Sequence, residues 1–319
     1  MKIIGTGSAL PSLVVTNKML SEFLDTNDTW IFTRTGIKKR RIISTETLLD
    51  LAVSASKKAI KRAGLKATDI DFIICSNVAN NYVVPSLSAM IQGEIKATCP
   101  CFDLNAACTG FIYASDIAET FLQTKRAKNI LIVCAEEPTR FCNWQERDTS
   151  VLFGDGAGAV VVTAGDDMKS IRLTTTSNTD VLYYSRTLES TPYLNNNEQT
   201  IPLVMHGRDL FKIAVSAAVE DINIVLDQAG ITAENVDYFL IHQSNKRMID
   251  SIRHTMEQSV HKFPHNIEKY GNTSSASILI LMDEMSRKSQ LKKGDTLVLS
   301  AFGGGFTSGA MVITWNLNE

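Results

Sequence analysis

Residues 103–124 read DLNAACTGFIYASDIAETFLQT and contain both a helical pattern and a candidate nucleophile. Small and apolar residues recur at helical spacing, which predicts a buried helix from about Thr109 to Thr124. Cys108 lies just before that helix, among small neighbours that leave room for a reactant. Unpaired N–H groups at a helix N-terminus favour thiolate over thiol, so Cys108 is a candidate nucleophile. The alternative is a structural cysteine, because thiols are among the most frequently buried side chains.

Strand-sized apolar runs alternate with amphipathic helical patterns along the whole chain. Apolar stripes predict helices over 48–63 and 211–229. The predicted strands are Lys2–Ile4, Phe72–Cys75, Ile130–Cys134, Ala157–Thr163, Ile171–Thr176, Tyr238–Ile241, Leu297–Ser300 and Ala310–Thr314. This alternation is typical of an α/β fold.

The two halves of the chain resemble each other at a constant spacing. Residues 63–74 match residues 229–240, an offset of 229 − 63 = 166. Residues 131–135 match residues 297–301, again at 297 − 131 = 166. Two separate matches at one offset indicate an internal duplication.

The duplication predicts two domains, residues 1–166 and 167–319. The same offset pairs Cys108 with Ser274, so that each opens the central helix of its half. If the halves pack about a pseudo-twofold axis, the two helix starts face each other. Asn272 is then expected close to Cys108.

Composition and charge exclude several classes of protein. The chain has 319 residues, with 32 basic and 34 acidic side chains and a net charge of −2, which argues against a nucleic-acid or membrane-surface partner. No apolar run is long enough to span a bilayer, and the N-terminus lacks the pattern of a secretory signal. A reduced, cytoplasmic location is expected. No disulfide scaffold and no metal site are expected from the cysteines at positions 75, 99, 101, 108, 134 and 142.

Two polar segments of the second half are candidates for chemistry. His242 directly follows the predicted strand Tyr238–Ile241, and polar groups at the carboxyl ends of strands line the ligand crevice of open α/β folds. A histidine that bonds only to the backbone is the alternative. Residues Gly271–Ser274, which include Asn272, could likewise be an ordinary turn and helix cap.

Two glycine-rich segments join or precede strands. The first, Phe153–Gly158, precedes a strand instead of following one, so it is not a dinucleotide-binding fingerprint. The second, Ala301–Phe306, contains three consecutive glycines between two predicted strands. Such a turn suggests that a reactant closely approaches bare N–H groups, as an oxyanion hole requires.

Residues 177–202 have the composition of a loop. Pro192 and Pro202 interrupt regular structure, and 195–198 read Asn-Asn-Asn-Glu. A loop of this length is either a binding lid or mobile surface.

These blocks together resemble β-ketoacyl-[acyl-carrier-protein] synthase III, in order and over nearly the whole chain. The resemblance implies a thiolase-like fold, with two duplicated halves in a five-layer α-β-α-β-α arrangement, and a homodimer. It also implies an acyltransferase that starts fatty acid synthesis by decarboxylative Claisen condensation of acyl-CoA with malonyl-acyl-carrier protein. The matching blocks are Ile4–Pro11, Trp30–Ile37, Asn105–Gly110, Phe153–Gly158, His242–Asn245, Gly271–Ser274 and Ala301–Thr307.

The resemblance also implies the roles of individual residues. Cys108 would take the acyl group, with its own N–H and that of Gly304 as the oxyanion hole. His242 and Asn272 would donate hydrogen bonds to the enolate formed when malonyl loses CO2. No cofactor or metal is implied.

Coenzyme A would be bound by a second set of residues. Trp30 and Arg147 would flank its adenine, and Arg34 and Arg247 would meet its phosphates or pantetheine arm. Gly207 and Asn245 would line the pantetheine channel. For Trp30 the alternative is a packed core aromatic, and for Arg34 or Arg247 a solvated surface position.

Two departures from the family pattern bear on the primer. Ser308 stands where the family often has tryptophan, and Val84 lies where acetyl-selective members often carry phenylalanine. We therefore predict that both residues shape the acyl pocket, which leaves the specificity for an acetyl primer open. The run Lys38–Arg41 is predicted to be a solvated face. Only Arg253 and His254 follow the Arg247 block as basic residues, which leaves the identity of the carrier open.

Two other functions are considered. One is a specialised relative in secondary metabolism, which condenses or transfers a primer other than acetyl. The other, from a different class, is a non-catalytic partner subunit of a condensing complex. Such partners typically lack the nucleophile, whereas this chain retains Cys108, His242 and Asn272.

Overall fold

A computed structural model describes residues 1–185, 190–194 and 199–317. Its strands are β1 (Lys2–Ala9), β2 (Leu13–Thr16), β3 (Lys39–Ile42), β4 (Phe72–Ser76), β5 (Cys101–Leu104), β6 (Asn129–Glu136), β7 (Gly156–Thr163), β8 (Met168–Asn178), β9 (Leu182–Tyr183), β10 (Val204–Met205), β11 (Tyr238–Ile241), β12 (Thr296–Gly303) and β13 (Gly305–Thr314). Its α-helices are α1 (Asn17–Leu20), α2 (Asp28–Thr35), α3 (Leu48–Arg62), α4 (Leu87–Ile95), α5 (Gly110–Gln123), α6 (Arg147–Ser150), α7 (Gly207–Ala229), α8 (Lys246–Thr255), α9 (Ile267–Tyr270) and α10 (Ser277–Arg287).

The two main sheets have the same strand order, which confirms the duplicated architecture. The first sheet runs β1-β7-β6-β4-β5, and the second runs β8-β13-β12-β11 when read in the matching direction. The pairs β4–β6 and β11–β12 are parallel in the two sheets, and the strands on the β1 and β8 sides pair antiparallel. The first sheet has an additional edge strand, β5, which pairs in parallel with β4. Between the two halves the chain passes from β7 to β8, over residues 164–167.

The pairing of Cys108 with Ser274 is out of register by one residue. Phe72 pairs with Ile130 in the first sheet, whereas Tyr238 pairs with Leu297 in the second. The offset is therefore 238 − 72 = 166 for one strand and 297 − 130 = 167 for the next. The second offset applies to Cys108, because the 3-10 turns Ala107–Thr109 and Ser274–Ala276 differ by 274 − 107 = 167, so the equivalent of Cys108 is Ser275. Continuous apolar strands such as β6 carry no pattern that fixes register within one residue.

The helices complete five layers, which confirms the predicted thiolase-like fold. Helices α3 and α4 pack on the outer face of the first sheet, and α7 and α8 cover the second. Helices α5 and α10 lie between the two sheets. In α10 five consecutive residues, 278–282, are buried, as expected of a helix that is enclosed on all sides.

The predicted central helix is present with nearly the expected bounds. Helix α5 begins at Gly110 and ends at Gln123, after a 3-10 turn over Ala107–Thr109 that holds Cys108. Its buried side includes Phe111, Ala114 and Ala118. The apolar spacing predicted this helix because its buried stripe is wide and continuous.

Some regular structure falls outside the predictions. Strands β2, β3 and β5 have four residues each, too short for a clear alternation pattern. Strand β8 extends to Asn178 and β9 covers 182–183, inside the segment predicted to be irregular. The predicted loop residues 195–198 lie outside the described residues.

The sequence predicts neither a membrane-spanning segment nor a metal site in this chain. In the described part of the chain, no helix combines the length and apolar character needed to cross a bilayer. In the same residues, no group of three or more His, Cys, Asp or Glu side chains is placed to hold a metal ion. Cys75 and Cys134 are fully buried within strands, as predicted.

The prediction that Lys38–Arg41 is a solvated face is wrong for Arg40. This residue lies in β3, where side chains alternate, and it is fully buried while Lys39 is exposed. Its guanidinium donates to Asn17 Oδ1 at 2.8 Å and to the carbonyl of Val151 at 2.8 Å. Burial lowers the pKa of Arg40 to about 10, against the opposing effect of the Asp28 carboxylate.

Arg40→Ala should lower the free energy of unfolding by about 3 kcal/mol, because it leaves buried acceptors without a donor. Lys39→Ala is the control, and as a surface change it should stay within about 0.5 kcal/mol of the wild type. Urea unfolding followed by circular dichroism measures both. Equal stability of the two variants would contradict the structural role of Arg40.

Candidate active site

One cavity of about 1160 Å³ is lined by residues from both halves. Cys108 reaches it from the first half, and His242 and Asn272 reach it from the second. His242 and Asn272 are buried, whereas Arg34 and Arg247 on the same cavity are exposed. The cavity therefore has an inner end with the three candidate catalytic groups and a mouth with basic side chains.

Cys108 is held in a strained turn directly against the second half. Ala107, which precedes it, has φ +46°, and Ser274 across the interface has φ +51°. Such left-handed conformations in residues other than glycine concentrate at functional sites. The hydroxyl of Ser274 lies 3.4 Å from the sulfur of Cys108.

Desolvation in the free protein opposes the thiolate form of Cys108 that a helix N-terminus favours. Burial raises the pKa of Cys108 to about 12, and the hydrogen bond from Ser274 offsets only part of this effect. At neutral pH Cys108 is therefore a thiol, and its attack on a substrate requires that the proton be removed.

The triple-glycine turn packs directly behind Cys108. A Cβ atom at Gly303 would lie 2.7 Å from the backbone nitrogen of Cys108 and 3.0 Å from its Cβ, so no side chain fits there. Gly304, the next residue after Gly303, lines the same cavity as Cys108. Thr307 ties the turn to the first half, since its hydroxyl donates to the carbonyl of Ala106 at 3.1 Å. The turn thus brings the backbone around Gly304 to the same end of the cavity as Cys108.

His242 lies at the carboxyl end of β11 as a neutral imidazole. Burial lowers its pKa to about 3. Its Nδ1 is 2.7 Å from the Ser277 hydroxyl, which also accepts from the Gln243 N–H. With the Ser277 proton directed to Nδ1, the ring carries its own proton on Nε2. In that tautomer His242 is a neutral hydrogen-bond donor.

Asn272 is fixed from both sides of the interface. Its N–H donates to the Leu152 carbonyl at 2.9 Å, and its own carbonyl accepts from Gly154 N–H at 3.0 Å. The side-chain Oδ1 accepts from Ser274 N–H at 2.8 Å. This bond orients the amide so that its NH2 group is the end available to a ligand.

The three residues predicted to meet adenine and phosphate lie together at the mouth. The guanidinium carbons of Arg147 and Arg34 are 4.5 and 4.9 Å from the centre of the Trp30 ring. Trp30 is half-buried: it packs against a core cluster formed mainly by the first half and also lines the cavity. A base inserted between Trp30 and Arg147 needs about 7 Å, two van der Waals spacings, so Arg147 has to move when adenine stacks there.

The remaining predicted binding residues also line the cavity. Gly207 begins α7, and Asn245 caps α8 and donates from Nδ2 to the Arg34 carbonyl at 3.2 Å. Arg247 follows in α8 and is exposed. Arg208 and Lys212, four residues apart on α7, also line the cavity and were missed, although that spacing places them on one helix face.

The acyl-pocket prediction needs correction at both positions. Ser308 is buried on the opposite side of β13, where its hydroxyl donates to Asp221 Oδ2 at 2.6 Å, and its neighbour Thr307 faces the cavity instead. Strand alternation explains this difference. Val84 is 82% exposed and is not part of the cavity wall in the single chain.

A thiol, a neutral imidazole donor, an amide donor and a glycine turn at one end of a tunnel define a condensing enzyme of the thiolase fold. Residues 102–180 match 3-oxoacyl-[acyl-carrier-protein (ACP)] synthase III, and residues 226–315 match its C-terminal family. The chain belongs to the β-ketoacyl-[acyl-carrier-protein] synthase III family.

Full-length relatives support this assignment. The chain is 40% identical to the β-ketoacyl-[acyl-carrier-protein] synthase III of Clostridium novyi, over 99% of each chain. The crystal structure of 3-oxoacyl-[acyl-carrier-protein] synthase III from Aquifex aeolicus superposes with a TM-score of 0.91, at 39% identity, over 98% of this chain and 99% of that one. The priming β-ketosynthase of the R1128 polyketide pathway gives a TM-score of 0.93 at 31% identity, over 100% of this chain and 97% of that one.

Gly303→Ala should lower the stability by about 2 kcal/mol and condensing activity by about 10²-fold, since its Cβ displaces Cys108. Gly93→Ala is the matched control, because this exposed glycine of α4 has open space around it. Urea unfolding and an activity assay measure the two effects. Wild-type activity in Gly303→Ala would refute the need for close packing behind Cys108.

Proposed function

We propose that this chain condenses an acyl-CoA primer with malonyl-acyl-carrier protein, through an acyl-Cys108 intermediate, and so initiates fatty acid synthesis. The observation that carries this proposal is that Cys108, His242 and Asn272 line one end of a single cavity. Each half supplies a part that the other lacks. Neither half alone would perform both steps.

The first step is acyl transfer to Cys108. The sulfur attacks the thioester carbonyl, and coenzyme A leaves as its thiol once it receives a proton. Backbone N–H groups of Cys108 and Gly304 are proposed to stabilise the tetrahedral oxyanion. This role is supported by the packing of Gly303, which precedes Gly304, against Cys108, and by the presence of Gly304 and Cys108 in the lining of one cavity.

The second step is decarboxylation of the malonyl thioester and attack on acyl-Cys108. Loss of CO2 leaves an enolate, whose oxygen needs donors that do not protonate the carbon. The neutral His242 and the NH2 group of Asn272 fit this requirement. The carbanion then attacks the acyl carbonyl, Cys108 leaves, and a 3-oxoacyl product forms.

The partners belong to the same proposal. Coenzyme A would enter past Trp30, Arg34 and Arg147, and the carrier protein would dock at the basic mouth formed by Arg208, Lys212 and Arg247. After Arg247, the rest of α8 carries only Arg253 and His254 as basic residues. The Arg253 Nη2 and His254 Nε2 atoms lie 2.7 Å apart. No cofactor is required by this reaction, and that expectation stays a prediction.

A homodimer and a cytoplasmic location complete the proposal. Tyr82, Val83 and Val84 form an apolar segment that is 56–82% exposed in the single chain and that a second copy would cover. All six cysteines carry free thiols, in keeping with a reducing compartment.

A specialised synthase of secondary metabolism is the second candidate. It is favoured by the similarity to a priming β-ketosynthase of a polyketide pathway. A primer panel from acetyl- to decanoyl-CoA, with and without malonyl-acyl-carrier protein, separates the two. Products formed from acetyl or short branched primers favour fatty acid synthesis, and transfer without condensation favours the alternative.

Incubation of the wild type with acyl-CoA alone should add one acyl mass to the protein, because Cys108 acylation does not need malonyl. Cys108→Ala should abolish the adduct, and Cys101→Ala, which changes a half-buried thiol elsewhere, should retain it. Intact-protein mass spectrometry measures both. An unmodified wild type across the whole primer panel would remove the catalytic proposals.

His242→Ala and Asn272→Ala should retain Cys108 acylation but lose at least about 10²-fold in malonyl decarboxylation, as each removes a donor to the enolate. Release of labelled CO2 measures that step, and the acyl adduct is its internal control. If either variant releases CO2 at the wild-type rate, its assignment to the enolate site fails.

A further inference from the structure

The cavity has an apolar wall near Cys108 to which the steps above give no role. Val78 follows β4, Cys108 follows β5 and Pro138 follows β6, and all three residues line the cavity. Strand β4 pairs in parallel with both β5 and β6, so the carboxyl ends of the three strands lie at one edge of the sheet. The Val78 N–H also donates to Oε2 of Glu136, at the end of β6, at 3.3 Å. An apolar surface therefore begins beside the nucleophile.

The second wall is the pair of short strands β9 and β10. Leu182 in β9 packs on the triple-glycine turn, since a Cβ at Gly304 would lie 3.6 Å from Leu182 Cδ2. Gly304 follows Gly303, which packs against Cys108, so β9 starts close to the nucleophile. Leu182 pairs with Met205 in β10, and both residues line the cavity. This wall, like the first, is apolar.

The two walls meet at an aromatic pair, Phe141 and Tyr184. Phe141 ends the 3-10 turn that begins at Pro138, so it continues the first wall. Tyr184 lies two residues beyond Leu182, about 7 Å along an extended chain, so it continues the second wall. The ring centroids are 4.4 Å apart, at an interplanar angle of 32°, and both residues line the cavity. A chain that extends from Cys108 along these walls reaches the two rings.

Phe141 is the more firmly held member of the pair. Its carbonyl accepts from the Leu203 N–H at 2.8 Å, a bond that joins the first wall to the segment before β10. Its ring packs against the core cluster on the outer face of the first sheet. Tyr184, by contrast, is 41% exposed and follows a strand of only two residues. A chain that pushes against the pair therefore displaces Tyr184 more easily than Phe141.

The polarity of the cavity separates the acyl group from coenzyme A. The mouth carries Arg34, Arg147 and Arg247, whose charges suit phosphates. The walls between Cys108 and the aromatic pair are apolar and suit a hydrocarbon chain. The acyl chain of the primer is therefore expected along these walls, while the pantetheine arm leads to the mouth.

We propose that the stacked pair of Phe141 and Tyr184 sets the upper limit to the chain length of the primer. The proposal rests on the proposed function, because it concerns the acyl group carried by Cys108. A short acyl chain ends before the rings. A longer chain meets them and has to separate two rings in contact, which opposes its transfer to Cys108. The pair selects the substrate and takes no part in the bond-making steps.

Single-turnover acylation of Cys108 with each member of the acetyl- to decanoyl-CoA panel tests this proposal, with intact-protein mass spectrometry as the readout. Decanoyl-CoA should acylate the wild type at least about tenfold more slowly than the best short primer does. Phe141→Ala and Tyr184→Ala should raise the ratio of the decanoyl rate to the acetyl rate by about tenfold or more, because each opens the path for further methylene groups. The matched control, Tyr193→Ala, removes a ring that is 97% exposed and lies outside the cavity lining, so it should keep the wild-type ratio.

Three results would overturn the proposal. They are a wild type that all primers acylate equally fast, variants that slow every primer by the same factor, and an unchanged decanoyl-to-acetyl ratio in Tyr184→Ala. The Tyr184 variant keeps the test available if Phe141→Ala does not fold, because the Tyr184 ring is partly exposed. A wild type that forms no acyl adduct with any primer would instead overturn the proposed function, and the primer limit with it.

Discussion

The contact between the turns that open α5 and α10 is the constraint on which the rest of the site depends. Cys108 in one turn meets Ser274 in the other across 3.4 Å, and both turns contain a residue with positive φ. Neither turn is stable in this form alone, because strained backbone persists only where its surroundings determine it. Duplication of the α/β unit supplies those surroundings by stacking the two central helices between two sheets.

Exclusion of water at this contact sets the protonation states. The same burial that keeps Cys108 a thiol keeps His242 a neutral imidazole. A neutral donor suits an enolate, since a charged imidazolium would protonate the carbon that must attack. The cost is that the nucleophile is not activated in advance, so the Cys108 proton has to be removed at the moment of attack.

From the residues alone, the α/β class, the duplication and the central helix were predictable, because each depends on a long apolar pattern. The exact residue-by-residue correspondence between the two halves was not predictable, because their apolar strands can be aligned one residue apart with an equally good hydrophobic match. Cys108, His242 and Asn272 were each ambiguous by themselves and became specific through the family resemblance. The roles of Arg40 and Ser308 were not predictable, since they depend on strand alternation and on contacts between distant segments.

A crystal structure of the protein after incubation with acyl-CoA, without malonyl-acyl-carrier protein, tests the central claim most directly. The account predicts an acyl carbon bonded to the sulfur of Cys108, with its carbonyl oxygen at the N–H groups of Cys108 and Gly304. His242 and Asn272 should face the same space. An acyl group on another residue, or His242 and Asn272 lining a separate cavity, would contradict it.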